Sequence, residues 1–187
     1  MSASLPQNAS IAYQSDLFTI YRWPQQLYDG STKTFECCVR PNGVVVMGFL
    51  DPETIILTKQ EQPHRVEPFF DLPGGRVEAD EEPEAAARRE FLEETGYEIG
   101  RLIPWHAHTQ GGTIQFTQHF FFARDLHARS DVQNPDAGER IRILPIHRQE
   151  FTEHCLKDRL RNRLTALLWL QLNADPERQR ILNDFLR

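Results

Sequence analysis

The chain of 187 residues has only three cysteines, Cys37, Cys38 and Cys155, two of them adjacent. They cannot all pair within one chain and they lack zinc-site spacing. This excludes a disulfide framework and a cysteine zinc site, and free thiols in a reducing compartment are expected. Positive charge is also short. A formal net charge of −6 removes the electrostatic footprint of a protein that follows a phosphate backbone, so no nucleic-acid partner is expected. No apolar run reaches the length of a membrane span, and the opening "MSASLPQNAS" has neither a basic n-region nor an apolar h-region. A cytoplasmic protein without a membrane partner is expected. Internal repeats and low-complexity segments are missing too.

What is present suits one globular domain. Hydrophobic residues make up 40% and charged residues 26%, a balance that can bury a core and is unlike a disordered chain. The β-rich runs "DLFTIYRW" (16–23) and "TFECCVR" (34–40), joined across an Asp29-Gly30 turn, read as a leading pair of strands. Residues 1–40 are therefore expected as an N-terminal strand extension and 41–187 as the main domain. "VVVMGFL" (44–50) and "TIILTK" (54–59) are apolar on both faces, as central strands are when covered on each side. "TIQFTQHFFFAR" (113–124) and "IRILPI" (141–146) read as further strands, and the polar stretch 127–140 between them as a loop. Leu156, Leu160, Leu164 and Leu168, with Leu167 beside them, predict one amphipathic helix ending near Asn173; Asp175-Pro176 then caps a short last helix.

The stretch "GRVEADEEPEAAARREFLEETGY" (75–97) carries the chemistry. Pro83 suits a first helical position, the acids around it suit the positive helix end, and Gly96 suits the left-handed position past the last turn, so a helix is predicted from about Pro83 to Thr95. At ~100° per residue, Glu90, Glu93 and Glu94 project from one side. Ala86 and Ala87 share that arc, which would leave room beside the carboxylates, while Ala85, Phe91 and Leu92 are expected to face the core. Like charges at this spacing cost a few tenths of a kcal/mol per pair. Either the face is simply solvated, or a hard divalent cation offsets the repulsion; all-oxygen ligation suits Mg²⁺ or Mn²⁺. Just upstream, the glycines of "LPGGR" (72–76) let backbone carbonyls approach an ion. His106 and His108 have no third ligand at a fixed spacing, so they read as surface or substrate-loop residues rather than a zinc site. His119 could face either the site or the core.

The order Gly75, five residues, Glu81, seven residues, Arg89-Glu90, an apolar residue, one residue, Glu93-Glu94, one residue, Gly96, Tyr97 resembles the Nudix box. It departs only in Phe91 and Tyr97, where aliphatics are usual. The resemblance implies an α/β fold, an α/β/α sandwich around a mixed β-sheet, here preceded by an N-terminal antiparallel strand pair. It implies an enzyme that hydrolyses a nucleoside diphosphate linked to another moiety with Mg²⁺, Mn²⁺ being a substitute. Glu90 and Glu94, with the Gly74 carbonyl, would be the main metal ligands, and Glu93 a further ligand or the general base. Arg89 would orient the carboxylates and Glu81 hold the loop, with Gly75 and Gly96 structural.

Outside the box the chain is similar to the ADP-ribose and nucleotide-sugar pyrophosphatase branch, in its leading strand pair, "FFFARDL" (120–126), "ERIRI" (139–143) and "LTALLWLQL" helix. That likeness implies a homodimer that exchanges N-terminal strands, ADP-ribose as preferred substrate giving AMP and ribose 5-phosphate, and Glu139, or else Asp136, as base or extra ligand. The branch's phosphate-binding arginine segment and its "PSPG"-like loop are replaced by "KQEQPHR" (59–65) and "HAHTQGG" (106–112), so Lys59 or Arg65 would contact phosphate and His108 the substrate. A nucleoside triphosphate pyrophosphatase and a non-catalytic ligand sensor are the competing readings.

Overall fold

The computed structural model describes residues 5–129, 138 and 140–187. Strands β1 (Ser10–Gln14), β2 (Thr19–Gln26) and β3 (Thr32–Val39) lead into β4 (Gly43–Asp51), β5 (Thr54–Glu61) and β6 (Phe69–Asp71). Helix α1 (Pro83–Thr95) follows, then β7 (Tyr97–Gln110), β8 (Ile114–Ala128), β9 (Arg140–His147), and helices α2 (Arg148–Leu156), α3 (Arg163–Ala174) and α4 (Pro176–Leu186). The strands form one mixed sheet in the order β1-β2-β3-β8-β4-β5-β6, with β7 on β8 and β9 on β5.

Strand periodicity divides the sheet's side chains between two cores. Val44, Val46, Ile56, Phe121 and Ala123 pack with Ala86, Ala87 and Phe91 of α1. The intervening Val45, Met47, Ile55, Leu57, Phe120 and Phe122 pack with Phe151, Trp169, Leu172, Leu182 and Phe185 of α2 to α4. Helices on both faces make the expected α/β/α sandwich. Each fully buried aliphatic or phenyl group contributes roughly 1.5–3 kcal/mol, so these two layers fix which face of β4 and β8 points at α1.

Four expectations change. The leading strand pair is a three-stranded antiparallel sheet, because β1 adds to β2. Residues 106–110 are not loop: they end β7, which pairs antiparallel with β8 and absorbs Pro104 at a register shift between Pro104 and His106. That pairing also carries β8 through Ala128, into what reads as loop. The single leucine-spaced helix is two. Lys157 caps α2, Asp158 takes a left-handed φ of 52°, Leu160 bridges to Phe70, and the Asn162 side chain accepts from Leu164 N and Thr165 N to start α3. A four-residue leucine spacing thus runs across a turn, with Leu156 left 68% exposed.

The fourth change concerns α1. Ala86, Ala87 and Phe91 are fully buried, whereas Ala85 is exposed and Leu92 half-buried. The alanines therefore make room for the sheet rather than for a ligand. The same rotation turns Glu90 and Glu94 toward the protein and leaves Glu93 at the rim. Gly96, at φ 71°, ends the helix by donating its N–H to Leu92 O at 2.8 Å.

Candidate active site

The loop between β6 and α1 lies along β4. Val46 N donates to Pro73 O at 2.8 Å and Val44 N to Gly75 O at 2.9 Å, so the carbonyls on either side of Gly74 are engaged by the strand. Gly74 has φ 154°, and a Cβ there would sit 2.2 Å from Val44 O. At Gly75 a Cβ would meet the Glu90 carboxylate at 2.3 Å. Gly74 thus lets the loop lie against β4, and Gly75 lets the main chain meet the Glu90 carboxylate; Gly74 N also donates to Glu94 Oε2 at 2.9 Å, and Glu94 is only 9% exposed.

Arg89 joins the acids. Its Nε and Nη2 bind Glu81 in a fork, each at 2.9 Å; Nη1 reaches Glu90 Oε1 at 2.9 Å and Glu93 Oε2 at 3.3 Å, and Nη2 also reaches Arg76 O at 3.0 Å. Glu81 in turn accepts from Glu78 N at 3.0 Å. The Arg89 bonds hold the Glu81 carboxyl below the ordinary glutamate range, and Glu81 above all makes the guanidinium harder still to deprotonate. One cation thus offsets the repulsion among three acids of the helix region and fixes where they point.

A second layer stands behind Glu94. Gln60 Nε2 lies 3.5 Å from Glu94 Oε1 and donates to Thr58 Oγ1 at 3.1 Å; Thr58 donates to Asp71 O at 2.8 Å. Asp71 is 3% exposed, accepts from Leu72 N at 3.0 Å, and receives Arg161 Nε at 3.0 Å. Burial pushes its carboxyl up, and the Arg161 charge opposes that.

One open cleft of about 1050 Å³ runs along this site. Glu90, Glu93, Glu94, Arg89, Gly74 and Gly75 come together on one wall, with Gln60, Asp71, Arg161, Asn162, Arg40 and Gln118 around them. Three expected substrate residues do not line it. Lys59 is adjacent to Gln60 on β5 and so points to the other face. Arg65 stacks on the Phe69 ring at 4.8 Å and borders a neighbouring pocket. His108 sits in β7 opposite Gln118. His106 lies 6.1 Å from the Phe120 ring, which belongs to the layer under α2 to α4, and burial holds its pKa below the usual histidine value. His119 shares the parity of Phe121 and Ala123 on β8 and faces the α1 layer; burial lowers its pKa. Asp136 and Glu139 lie outside the described residues. Gln60, Asp71 and Arg161 went unnoticed in the sequence; an acid closing the apolar run "PFFD" before "LPGG" was the one signal for Asp71.

Among the described residues no three His, Cys, Asp or Glu side chains are already gathered as a metal cage. The donor set fits a hard divalent cation nonetheless, since Mg²⁺ takes one or two carboxylates and completes its shell with water and substrate phosphate. Glu90 and Glu94, a turn apart and pressed against the Gly74–Gly75 main chain, offer that arrangement. No described helix is long and apolar enough to cross a membrane.

A family profile described as NUDIX domain matches residues 39–164. Among curated proteins, the chain is 27% identical over 135 residues to an ADP-ribose pyrophosphatase of Bacillus subtilis, covering 72% of this chain and 73% of that one. It is 25% identical over 151 residues to a methanol dehydrogenase activator of Bacillus methanolicus, covering 79% and 81%. A putative 8-oxo-dGTP diphosphatase of Bacillus subtilis is 39% identical over 80 residues, 43% of this chain and 50% of that one. A solved structure, an ADP compounds hydrolase, shares the fold with a TM-score of 0.71 at 21% identity, covering 92% of this chain and 98% of its own.

Proposed function

The chain belongs to the Nudix family and is a hydrolase acting on pyrophosphate bonds; from this premise we propose that its substrate is a nucleoside diphosphate-sugar, ADP-ribose preferred, cut to AMP and ribose 5-phosphate with Mg²⁺. The observation that carries the reading is the pairing of Glu90 and Glu94 with the main chain of Gly74 and Gly75 at the wall of a cleft large enough for a dinucleotide-sized ligand. The likeness to an ADP-ribose pyrophosphatase over most of both chains supports the substrate class.

A pyrophosphate bridge repels an incoming hydroxide, so the site must neutralise phosphate charge and accept a proton from water. A divalent cation, when bound, supplies Lewis acidity and a lowered water pKa. Glu90 and Glu94 would hold it with the Gly74 carbonyl. Glu93, at the rim and tied to Arg89 by its longest bond, is free to act as a further ligand or as general base. Glu139 serves as base or extra ligand on the strength of the sequence alone. Arg89 and Glu81 keep the carboxylates aimed. We place the protein as a homodimer joined through β1 to β3, whose apolar side chains Ile11, Tyr13 and Phe35 stand in solvent.

The test is phosphate release in a phosphatase-coupled assay with Mg²⁺ from ADP-ribose, GDP-mannose, UDP-glucose, dinucleoside polyphosphates, NADH and nucleoside triphosphates. Preference for a nucleotide sugar supports the reading. Activity confined to triphosphates moves the protein to a triphosphate pyrophosphatase, the second reading, which the 39% identity over 80 residues favours. Silence with ligand still bound would indicate a sensor.

A further inference from the structure

The expected phosphate contacts Lys59 and Arg65 do not line the cleft, yet the cleft has an arginine that the sequence did not advertise. We propose that Arg161, in the turn between α2 and α3, binds a phosphate oxygen of the nucleoside diphosphate substrate and so sets its affinity; this rests on the activity proposed above. Arg161 is held in place from three directions. Its Nε donates to the buried Asp71 at 3.0 Å, its guanidinium lies on the Phe69 ring at 4.6 Å, and its N–H donates to Phe70 O at 2.9 Å. The Leu160 bridge to Phe70 locks the same turn to β6.

That anchoring uses one edge of the fork. Among the described residues Nη1 and Nη2 have no hydrogen-bond partner, and the side chain remains 44% exposed on the cleft. A guanidinium fixed at Nε with its two terminal nitrogens facing a cavity matches the two oxygens of a phosphate. Asp71, by contrast, is 4% exposed at its side chain and cannot reach substrate, so it is a positioning residue. Arg65 stacks on the same Phe69 ring at 4.8 Å, which puts a second positive charge beside the first. Two cations on one ring raise the local positive potential, and an anion relieves it. The position also fits the chemistry: Arg161 lines the same cleft as Glu90, Glu93 and Glu94, so a diphosphate held there shares one cavity with the carboxylates.

The experiment compares wild type, Arg161→Gln, Arg161→Lys and Asp71→Asn in steady-state hydrolysis of ADP-ribose with Mg²⁺, in calorimetric binding of ADP, and in thermal melting. Arg161→Gln is expected to raise KM about 10- to 100-fold with kcat within about threefold, and to weaken ADP by the same factor. Arg161→Lys should recover part of the ADP affinity, because charge survives and the fork does not. Asp71→Asn should move KM in the same direction by less. If the Gln variant binds ADP and turns over ADP-ribose within twofold of wild type, the contact is wrong while the activity stands. A lowered Tm and kcat with unchanged KM and ADP binding would overturn it as well, reducing Arg161 to a prop for the loop. If wild type cuts no nucleotide sugar but its ADP binding depends on Arg161, the proposed activity falls and the contact survives; wild type that neither cuts nor binds removes both.

Discussion

In the loop and helix of residues 72–96, Arg89, Glu81, Glu90, Glu93, Glu94 and Gly74 answer one another, whereas in strands β1 to β3 the side chains of Ile11, Tyr13 and Phe35 stand 55%, 60% and 41% exposed. The first region is finished within the chain. The second meets the rest of the sheet where β3 pairs Cys38 with Ile114 and Val39 with Gln115, and Ile11, Tyr13 and Phe35 point outward. The contrast separates geometry set internally from the face assigned to the proposed dimer: substitutions in the loop and helix should change chemistry, and substitutions in the strands should change assembly.

The sharpest separation comes from Glu94→Gln. The shape is kept and the charge of one proposed ligand is lost, so turnover should fall by about 10³-fold while the melting curve stays put, since the amide oxygen still accepts from Gly74 N. Near-normal turnover would sink the metal assignment. Gly75→Ala comes next. The added methyl must displace the Glu90 carboxylate, and a misplacement of about 1 Å is enough to cost roughly 100-fold in kcat; an alanine variant as active as wild type would mean that Glu90 has no fixed role.

Smaller is the pH response of the Arg89 hub. Glu81 has a depressed pKa in the folded protein, so its stabilisation is complete above the unfolded value of about 4.3 and is lost as pH falls through the folded value. Melting curves taken downward from pH 5 should show wild type losing Tm more steeply than Glu81→Gln. Parallel curves would take Glu81 out of the account. Smallest for the protomer, and largest for assembly, is the pair Ile11→Lys and Tyr13→Lys. Both sites are exposed, so protomer stability should change by no more than about 0.5 kcal/mol. Sedimentation velocity should nevertheless show the proposed dimer dissociating, and an unchanged sedimentation coefficient would break the proposed division of labour.

The sequence disclosed the finished region far better than the unfinished one. Pro83, Gly96 and the spaced glutamates are local signals, and the helix runs between the residues those signals name. Strand β7 is different. With Gly100, Pro104 and a polar end it has little strand character of its own, and it exists because β8 pairs with it along nearly its whole length. The same holds for the split of the C-terminal helix, where a four-residue leucine spacing outran Asp158 and Asn162, the residues that stop and restart the chain. Arg161 was invisible for the same reason: its meaning depends on Asp71 and Phe69, which the fold brings to it from β6.

The parallel pairing of β8 bears on how the protein is made. Gly43 to Gly48 of β4 pair with Gln118 to Ala123, and the end of β3 pairs with Ile114 and Gln115, so strands synthesised early depend on one synthesised much later. Until that run, with its Phe120-Phe121-Phe122, has left the ribosome, β4 offers an open edge that is apolar from Gly43 to Leu50. Parallel contacts between distant parts of a chain form slowly. The nascent chain is therefore most open to aggregation and to chaperone capture while α1 has been synthesised but the strand beneath it has not, and a pause in translation before residue 114 would lengthen that exposure.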